Sequence, residues 1–555
     1  MPRSRLNQKT KRYRAALVQA RATGVDPDDL FERREVVDDE ALSRSLDRSN
    51  DLAGVRDLAE EHASAIRSGV DRHPSGLTRR DFLARAVLLG GLAFATPLTR
   101  AAAGSQPRVV VVGAGFAGLT AAYRIQQLRG WHVDVYEAQH RVGGRARTIR
   151  TLADGQYTEA GPSGISSNED VIQGLLRELG LWPMVDTWLR YPGGQERYWF
   201  QGRFRTWAQL REGIAQVNDR GWEAWRAIGR HIPTFKDNNA AARAYDAMSV
   251  ADFLDTETDF ATSTPAGAFV ANEFGVEYGG SADLASSIHQ ILEEGTIWGG
   301  GGYDERYAVP GGNDTLAVTL KKHLEPGSVH LGHQLVAIKQ RADGRVVLTF
   351  DTGGETATVV ADKAILTLPV TTLRDVDTSE AGFGAVTERW IAEEALGNTT
   401  KFNVQFHGQP WRLSNSSGDA VSDLVTQSVW QASYLARDPS VLVFMNNGDY
   451  AATPAHATAT GTVLFDALAA VDTLFPGSAA EAIEGQAYVE NWSADPWVKG
   501  TYAYTRPGGF ISFEGIQGKR QGNIHFAGEA TASYIHTGTM NGAVESGCRV
   551  AREVT

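Results

Sequence analysis

Three glycines and one acidic residue have the types and the spacing needed to hold a dinucleotide. Gly113, Gly115 and Gly118 directly follow one apolar run, and Glu137 closes the next one. The first glycine allows a tight turn, the second lets the backbone approach a diphosphate, and the third lets a helix pack closely on a strand. A carboxylate after the second strand can accept hydrogen bonds from an adenosine ribose. We therefore predict a dinucleotide site here.

The strands and the helix that this site requires are visible in the pattern. Val109–Val112 is predicted as a buried strand, a helix begins near Phe116, and residues 132–136 form a second strand. The N-terminus of that helix points unpaired N–H groups at the phosphates. A glycine-rich turn that only packs is the alternative, but the complete βαβ register argues against it.

A second glycine pair with two arginines follows the acidic residue. In GGRART, Gly143 and Gly144 precede Arg145 and Arg147. Guanidinium groups bind phosphate oxygens in a bidentate way, so this turn suits a diphosphate that continues past an adenosine half. The pattern favours FAD over NAD as the cofactor.

Two motifs far apart in the chain resemble the flavin-containing amine oxidase superfamily: GGRART, and NIHFAGEATASYIHTGTMNGAVESG near the C-terminus. The resemblance extends from about residue 106 to the end of the chain. It implies that Gly528 and Glu529 support the ribityl or diphosphate part of FAD. It also implies that the helix beginning at Met540 points at the flavin pyrimidine, and that backbone near Leu335 contacts adenine.

The same resemblance assigns candidate catalytic residues. Lys401, in GNTTKFNVQF, aligns with the lysine that reaches flavin N5 through a water, where a cation can assist the reaction with oxygen and position water for imine hydrolysis. In NWSADPWVKGTY, Trp497 covers the flavin and Tyr502 forms one wall of an aromatic cage. The alternatives are a strand-end lysine that reaches solvent and a tyrosine that only fills the core.

Two departures from the family pattern change the predicted site. Thr501 stands where monoamine oxidases attach FAD through a cysteine, so a non-covalent flavin is expected. Thr539 stands where the second cage aromatic is found, so we expect a wider or more polar pocket and count Thr539 among the catalytic-site residues.

A third departure concerns the substrate. Many L-amino acid oxidases carry an arginine for the substrate carboxylate where this chain has Ser163 and Gly164. An unpaired carboxylate is costly in a dry pocket, so an amino acid needs another cation, for which Arg306 and Arg412 are available.

The leading prediction is an FAD oxidase that deaminates L-α-amino acids to 2-oxo acids, ammonia and hydrogen peroxide, with molecular oxygen as acceptor. Primary amine or polyamine oxidation is the runner-up, followed by oxidative decarboxylation by a monooxygenase. A non-enzymatic FAD-bound interaction protein is the alternative from another class, and the presence of both Lys401 and the Trp497 to Tyr502 segment argues against it.

Composition and charge limit the classes of binding partner that we expect for this chain. The chain has 555 residues and a net charge of -12, which argues against a nucleic-acid partner because phosphate binding needs a clustered basic face. Residues 3–21 are locally basic, and a solvated helix surface is the preferred interpretation over a basic arm. Cys548 is the single cysteine, so no intrachain disulfide forms and no metal site is expected. We expect a homo-oligomer, a dimer or higher.

The chain before residue 105 differs from the rest. Arg79 and Arg80 precede an apolar run at 86–98 and three alanines, which resembles a twin-arginine export signal. We expect either export by that route or a cytoplasmic protein that keeps this arm. The long stretch ahead of the arginine pair is unusual for a signal. The apolar run is too short for a membrane span.

The predicted fold class is α/β: a discontinuous Rossmann-like FAD-binding domain, a mixed-sheet substrate domain and a helical insertion. The FAD-binding domain comprises residues 105–167, 306–374 and 510–555, and the substrate domain comprises 168–205 and 375–509. The helical insertion spans 206–305 and includes a glycine loop at 299–302, and residues 1–104 form an N-terminal helical arm with helices predicted at 11–70. Strands are predicted at 329–338, 346–350, 363–368, 401–406 and 441–446, and helices at 170–179, 222–231 and up to 320.

Overall fold

The computed structural model describes residues 13–14, 16–17, 19–21, 26–28, 31, 106–187, 194–297, 303–432, 438–448, 451 and 460–555. Met1–Phe31 and Pro107–Thr555 group into one compact unit, and Glu32–Gln106 forms another. Three predictions lie outside the described residues: the twin-arginine-like segment, the helices predicted between 32 and 70, and a glycine loop at 299–302.

The strands of the described ranges are β1 Val109–Val112, β2 Val133–Glu137, β3 Thr148–Ile149, β4 Thr158–Glu159, β5 Val185–Asp186, β6 Gln195–Phe200, β7 Arg203–Arg205, β8 Tyr307–Ala308, β9 Val329–Leu331, β10 Gln334–Gln340, β11 Val346–Asp351, β12 Thr356–Ala361, β13 Lys363–Leu366, β14 Asp377–Glu380, β15 Ala395–Leu396, β16 Thr399–Phe406, β17 Ser416–Ser422, β18 Ser428–Gln431, β19 Ser440–Asn447, β20 Ala482–Asn491, β21 Ala503–Tyr504 and β22 Ile524–Phe526.

The α-helices of the same ranges are α1 Phe116–Arg129, α2 Asp170–Glu178, α3 Trp207–Ala227, α4 Ala240–Asp246, α5 Val250–Glu257, α6 Pro265–Tyr278, α7 Ile288–Leu292, α8 Thr315–His323, α9 Val370–Leu373, α10 Ala385–Glu393, α11 Thr460–Leu474, α12 Phe510–Phe513 and α13 Met540–Val554. A π-helical turn, Glu293–Ile297, continues α7. Among the described residues, no helix is long and apolar enough to cross a membrane.

A five-stranded parallel sheet positions the glycine turn. Its strand order is β22-β13-β1-β2-β9, so β1 lies at the centre. All four valines of β1 are buried, as expected for a parallel strand that is covered on both faces. Helices α1 and α13 belong to the hydrophobic core on one face, together with α2 and α8. A four-stranded sheet, β12-β11-β10-β14, contributes to the core on the other face.

A seven-stranded mixed sheet positions Lys401. Its order is β20-β16-β19-β18-β17-β6-β7, and β16 lies between β20 and β19. Side chains alternate along a strand, so Phe402, Val404 and Phe406 share one face and pack with residues of α11. Lys401 therefore points to the opposite face, where Trp430 and Met445 join a core with residues of α6.

The predicted α/β fold class is confirmed, with local corrections. The helix predicted at 222–231 is the end of α3, which begins at Trp207 behind a capping box on Thr206. The strand predicted at 329–338 is two strands, because Gly332 has a φ of +71° and lets the chain turn from one sheet into another. Strand β12 was not predicted, and β14, which lies beyond the predicted boundary at 374, pairs with β10. The domain boundaries stay a prediction.

The prediction of a solvated basic face at 3–21 is wrong at Arg14. Its side chain is buried and lies 3.1 Å from a carboxylate oxygen of Glu294. An arginine that finds a buried acidic partner in tertiary structure cannot be recognised from local charge alone.

Candidate active site

The turn after β1 brings the helix and the strand very close together. Gly113 has a φ of +106°, and its N–H donates to the carbonyl of Tyr136 at 2.7 Å. A Cβ on Gly118 would lie 2.0 Å from the carbonyl oxygen of Gly113. A side chain at either position is therefore excluded, as the sequence predicts.

The N-terminus of α1 has backbone donors that no side chain of the helix caps. Its N-cap is Gly115, with no side-chain cap and no acid in the first turn. A Cβ on Gly115 would meet nothing within 4 Å, so that side of the turn is open. Gly144, in the second glycine turn, lies against it. Uncapped N–H groups beside open space form a suitable site for a phosphate.

Most of the predicted site residues line one cavity. Its lining includes Gly113, Gly115, Glu137, Gly144, Arg145, Leu335, Trp497, Gly528, Glu529, Thr539 and Met540. Among the predicted residues, Gly118, Lys401 and Tyr502 lie outside this lining.

Backbone hydrogen bonds hold the carboxylate of Glu137 in place at the cavity wall. One carboxylate oxygen accepts from the N–H of Ala114 at 2.7 Å, and the other accepts from the N–H of Gln139 at 2.9 Å. Burial raises the pKa of Glu137, and these backbone donors oppose that shift. A carboxylate can accept about four hydrogen bonds, so Glu137 retains capacity for a ribose hydroxyl.

Arg145 and Glu529 form an ion pair that joins three parts of the chain. Nη1 of Arg145 lies 2.8 Å from a carboxylate oxygen of Glu529 and also donates to the carbonyl of Thr501. The other oxygen of Glu529 accepts from the N–H of Gly538 at 2.9 Å. The pair fixes the second glycine turn against both C-terminal motifs, with both side chains at the cavity wall.

Lys401 is buried beside the cavity. Nζ donates to the carbonyl of Gly161 at 2.8 Å and to Oγ of Ser163 at 2.7 Å, and it lies 5.3 Å from the ring centre of Trp430. The first two partners flank Pro162, which lines the cavity. The alternative of a lysine that extends into solvent is therefore wrong, because only 1% of this residue is exposed.

Two carboxylates influence the charge of Lys401. Burial lowers its pKa, while Glu159 and Glu305 oppose that shift. Burial raises the pKa of Glu159, against hydrogen bonds from the N–H of Asn313 at 2.8 Å and from the hydroxyl of Thr148. Lys401 and Glu159 thus titrate as a coupled pair.

Tyr502 and Thr539 are neighbours through Gly538, where an added Cβ would lie 3.4 Å from Cβ of Tyr502. The hydroxyl of Tyr502 donates to the carbonyl of Val276 at 2.5 Å, and its ring belongs to an aromatic-rich core. Thr539 is the N-cap of α13, and its Oγ1 accepts from the N–H of Gly542 at 2.9 Å. Thr539 therefore caps a helix as well as lining the cavity.

A family model described as flavin containing amine oxidoreductase matches residues 116–555. The chain belongs to this flavin-containing amine oxidoreductase family. The family is flavin-containing and acts on small-molecule amines with oxygen as the acceptor.

Relatives and solved structures agree with that assignment. The putative L-amino-acid oxidase YobN of Bacillus subtilis is 24% identical over 487 residues, covering 80% of this chain and 94% of that protein. The putative flavin-containing monoamine oxidase AofH of Mycobacterium tuberculosis is 27% identical over 468 residues, covering 80% and 96%. Putrescine oxidase bound to putrescine has a TM-score of 0.69 at 22% identity and covers 81% of this chain and 99% of that chain. Cyclohexylamine oxidase from Brevibacterium oxydans has a TM-score of 0.70 at 18% identity, with coverage of 81% and 99%.

The residues present fit a flavin dinucleotide. The uncapped α1 N-terminus and the open side of Gly115 accommodate a diphosphate. Glu137, Arg145 and Glu529 line the same cavity. Trp497 and Met540, the first residue of α13, also belong to its lining.

The structure adds one buried group that sequence reasoning missed. His289 lies in α7, with its ring centre 4.9 Å from that of Tyr278, and its Nε2 accepts from the N–H of Thr505 at 3.0 Å. Burial lowers the pKa of His289 to about 3, so the ring is neutral. The hydroxyl of Tyr534 donates to the carbonyl of His289 at 3.0 Å. A single histidine in an apolar helix pattern gives no signal of such a network.

Both arginines that are candidates for binding a substrate carboxylate, Arg306 and Arg412, have other hydrogen-bond partners. Nε and Nη2 of Arg306 lie 2.7 and 2.6 Å from one carboxylate oxygen of Asp186. Nε of Arg412 donates to the amide oxygen of Gln409 at 3.1 Å, in a short helical turn between β16 and β17. The charge of Arg306 is thus shared with Asp186, and neither arginine is among the residues that line the cavity.

Proposed function

We propose that this protein is an FAD-dependent amine oxidase that holds its cofactor without a covalent bond. The bound flavin supplies the hydride acceptor for the carbon that carries a neutral amino group. Water then hydrolyses the imine to a carbonyl compound and ammonia, and oxygen takes the two electrons as hydrogen peroxide. The observation that supports this best is the buried Lys401, which bonds to both residues that flank Pro162 of the cavity wall.

The residues around the cavity have distinct proposed tasks. Lys401 provides the cation for the oxygen reaction and holds a water. Tyr502 and Trp497 orient the amine and exclude bulk water. Thr539 leaves room for a substrate side chain because a hydroxyl and a methyl group replace an aromatic ring.

Denaturation should release FAD into solution, because Thr501 cannot form a thioether bond. The purified protein should be yellow, and acid precipitation followed by chromatography of the supernatant measures the released cofactor. The precipitate provides the internal comparison. Flavin that stays with the precipitated chain would contradict the non-covalent assignment.

Replacing Glu137 with alanine should weaken FAD binding roughly 10- to 100-fold, because hydrogen bonds from the ribose to a charged group are lost. Flavin content after serial dilution and concentration measures this. The matched control is Glu355→Ala, at an exposed position in the loop between β11 and β12. Full flavin retention in the Glu137 variant would show that the carboxylate does not hold the ribose.

The substrate class we propose is a primary amine without a carboxylate on the reacting carbon. Arg306 and Arg412 are engaged with Asp186 and Gln409. Arg145 on the cavity wall is paired with Glu529, and the charge of Lys401 beside the cavity is already influenced by Glu159 and Glu305. A further carboxylate in this environment is unfavourable unless it is paired. The putrescine and cyclohexylamine oxidases are consistent with this class.

L-α-Amino acids are the second candidate class. The observation that favours them is the similarity of the chain to L-amino-acid oxidases, among them YobN and the Pseudechis australis enzyme, which is 24% identical over 476 residues. For these substrates, a cation must hold the carboxylate, and Arg306 would have to leave Asp186 to do so.

Peroxide release from matched pairs of substrates separates the two classes. We expect kcat/KM to be roughly tenfold or more higher for 2-phenylethylamine than for L-phenylalanine, and for 3-methylbutylamine than for L-leucine. An Arg306→Met variant should leave the ratio within each pair unchanged, whatever it does to overall stability. A preference for the amino acids that disappears in Arg306→Met would replace our proposal with the second candidate.

A further inference from the structure

The acidic socket on the helical insertion, formed by Glu273, Glu293 and Glu294, is filled by a side chain from the start of the chain. Arg14 is 3% exposed, and its guanidinium lies 3.1 Å from Glu294, 3.9 Å from Glu293 and 4.0 Å from Glu273. All three carboxylates are buried. Without Arg14, three glutamates would share a buried site that had lost this cation, which is strongly unfavourable.

Apolar contacts hold the same segment on either side of Arg14. The Tyr13 ring meets the edges of Phe31 and Trp207 at centroid distances of 5.5 and 5.8 Å, and Phe31 stacks on Trp207 at 6.1 Å. Ala16 and Leu17 are also buried in this core. We call the described residues of 13–31 the N-terminal segment. Its buried apolar side chains belong to the same hydrophobic core as residues from Tyr198 onward.

Two more ion pairs flank the socket on α3. Arg211 binds Asp28 with both terminal nitrogens at 3.0 Å, and Arg21 pairs with Asp219. These pairs are partly exposed, so they fix the register of the segment more than they stabilise it. The socket, the aromatic contacts and the flanking pairs together specify one peptide in one orientation.

We propose that the mature enzyme retains the N-terminal segment as a permanent peptide ligand of the helical insertion. Arg14 anchors the segment. The segment precedes the arginine pair at 79–80, so a conventional signal cleavage near residue 103 would cut it from the body. Its contacts keep it bound as a separate peptide after such a cut. This inference does not depend on the substrate or on the chemistry of the cavity.

Arg14→Met in the full chain tests the anchor. We expect the apparent melting temperature to fall by roughly 3 to 5 °C, because buried carboxylates lose their cation. Adding Glu294→Gln to this variant should restore part of the loss. Arg21→Met, which removes a partly exposed pair of the same segment, should change the melting temperature by less than about 1 °C. An Arg14 variant that melts with the wild type would overturn the proposal.

A cut in the holoenzyme tests retention directly. A specific protease site inserted after Ala103 is cleaved, and gel filtration with mass spectrometry shows which fragments elute together. We expect fragment 1–103 to co-elute with 104–555 in wild type, at low salt and at high salt, since buried pairs are weakly screened. The fragment should separate in the Arg14→Met protein. If it separates in wild type while the larger fragment keeps its flavin and its melting temperature, the segment is not a retained ligand.

Discussion

Lys401→Met should slow the reaction of the reduced enzyme with oxygen by roughly 10²-fold or more, while anaerobic reduction by substrate stays near its wild-type rate. Methionine keeps much of the volume of the buried stem and removes the charge. The first half-reaction needs an oriented neutral amine, a role that we propose for Tyr502 and Trp497. The second needs a fixed cation near the site where negative charge develops on oxygen, and Lys401 is the cation that we propose. A hundredfold change corresponds to about 2.7 kcal/mol, within what one preorganised electrostatic contact contributes.

Stopped-flow absorbance measures the two half-reactions separately. Enzyme reduced with dithionite is mixed with oxygenated buffer, and oxidised enzyme is mixed anaerobically with amine. The control is Lys499→Met, in the NWSADPWVKGTY segment, because Lys499 pairs with Asp375 at 2.6 Å and is partly exposed. Flavin content and melting temperature show whether each variant is folded. Wild-type reoxidation in a folded Lys401→Met enzyme would refute the role of this lysine.

The parts of the site that the sequence predicts are local in the chain. Gly113, Gly118 and Glu137 lie within one βαβ unit, and their backbone requirements follow from turn geometry and close packing. Their positions in the structure match those requirements because a strand, a tight turn and a helix leave little freedom. Lys401 was found through its alignment with a family motif, and its burial could not be derived from the strand pattern alone.

The parts that sequence reasoning missed depend on contacts between distant segments. Arg14 meets Glu273 and Glu294 across more than two hundred residues, and local charge suggested a solvated surface instead. Burial among aromatic rings lowers the pKa of His289 far below its ordinary value. The sequence around Glu159 does not single it out either, although its carboxylate influences the pKa of Lys401 in the folded protein. Such groups gain their properties from desolvation, which no local pattern encodes.

The coupling between Glu159 and Lys401 should be visible in the pH dependence of reoxidation. Burial lowers the pKa of Lys401 to about 7, so its cation is present below neutral pH and is lost as pH rises through that value. We therefore expect the reoxidation rate constant to fall as pH rises through neutrality. Reduction by substrate should change in the opposite direction, because a neutral amine is needed and kcat/KM rises with pH. Lys401→Met should abolish the fall in reoxidation.

Glu159→Gln should move that fall to lower pH, because the ionised carboxylate favours the ammonium of Lys401 and the amide keeps the shape without the charge. Glu305 also influences the pKa of Lys401 and remains in this variant, so the fall should persist.

The matched control is Glu514→Gln. Burial raises the pKa of Glu514 to about 7, so this carboxylate titrates in the same range, but it is not among the groups that shift the pKa of Lys401. Reoxidation of dithionite-reduced enzyme, measured without substrate between about pH 5 and 9, excludes the ionisation of the amine from the profile. Loss of a neighbouring negative charge can only lower the pH at which an ammonium loses its proton. An identical pH profile in Glu159→Gln and wild type would therefore show that this carboxylate does not set the charge of Lys401.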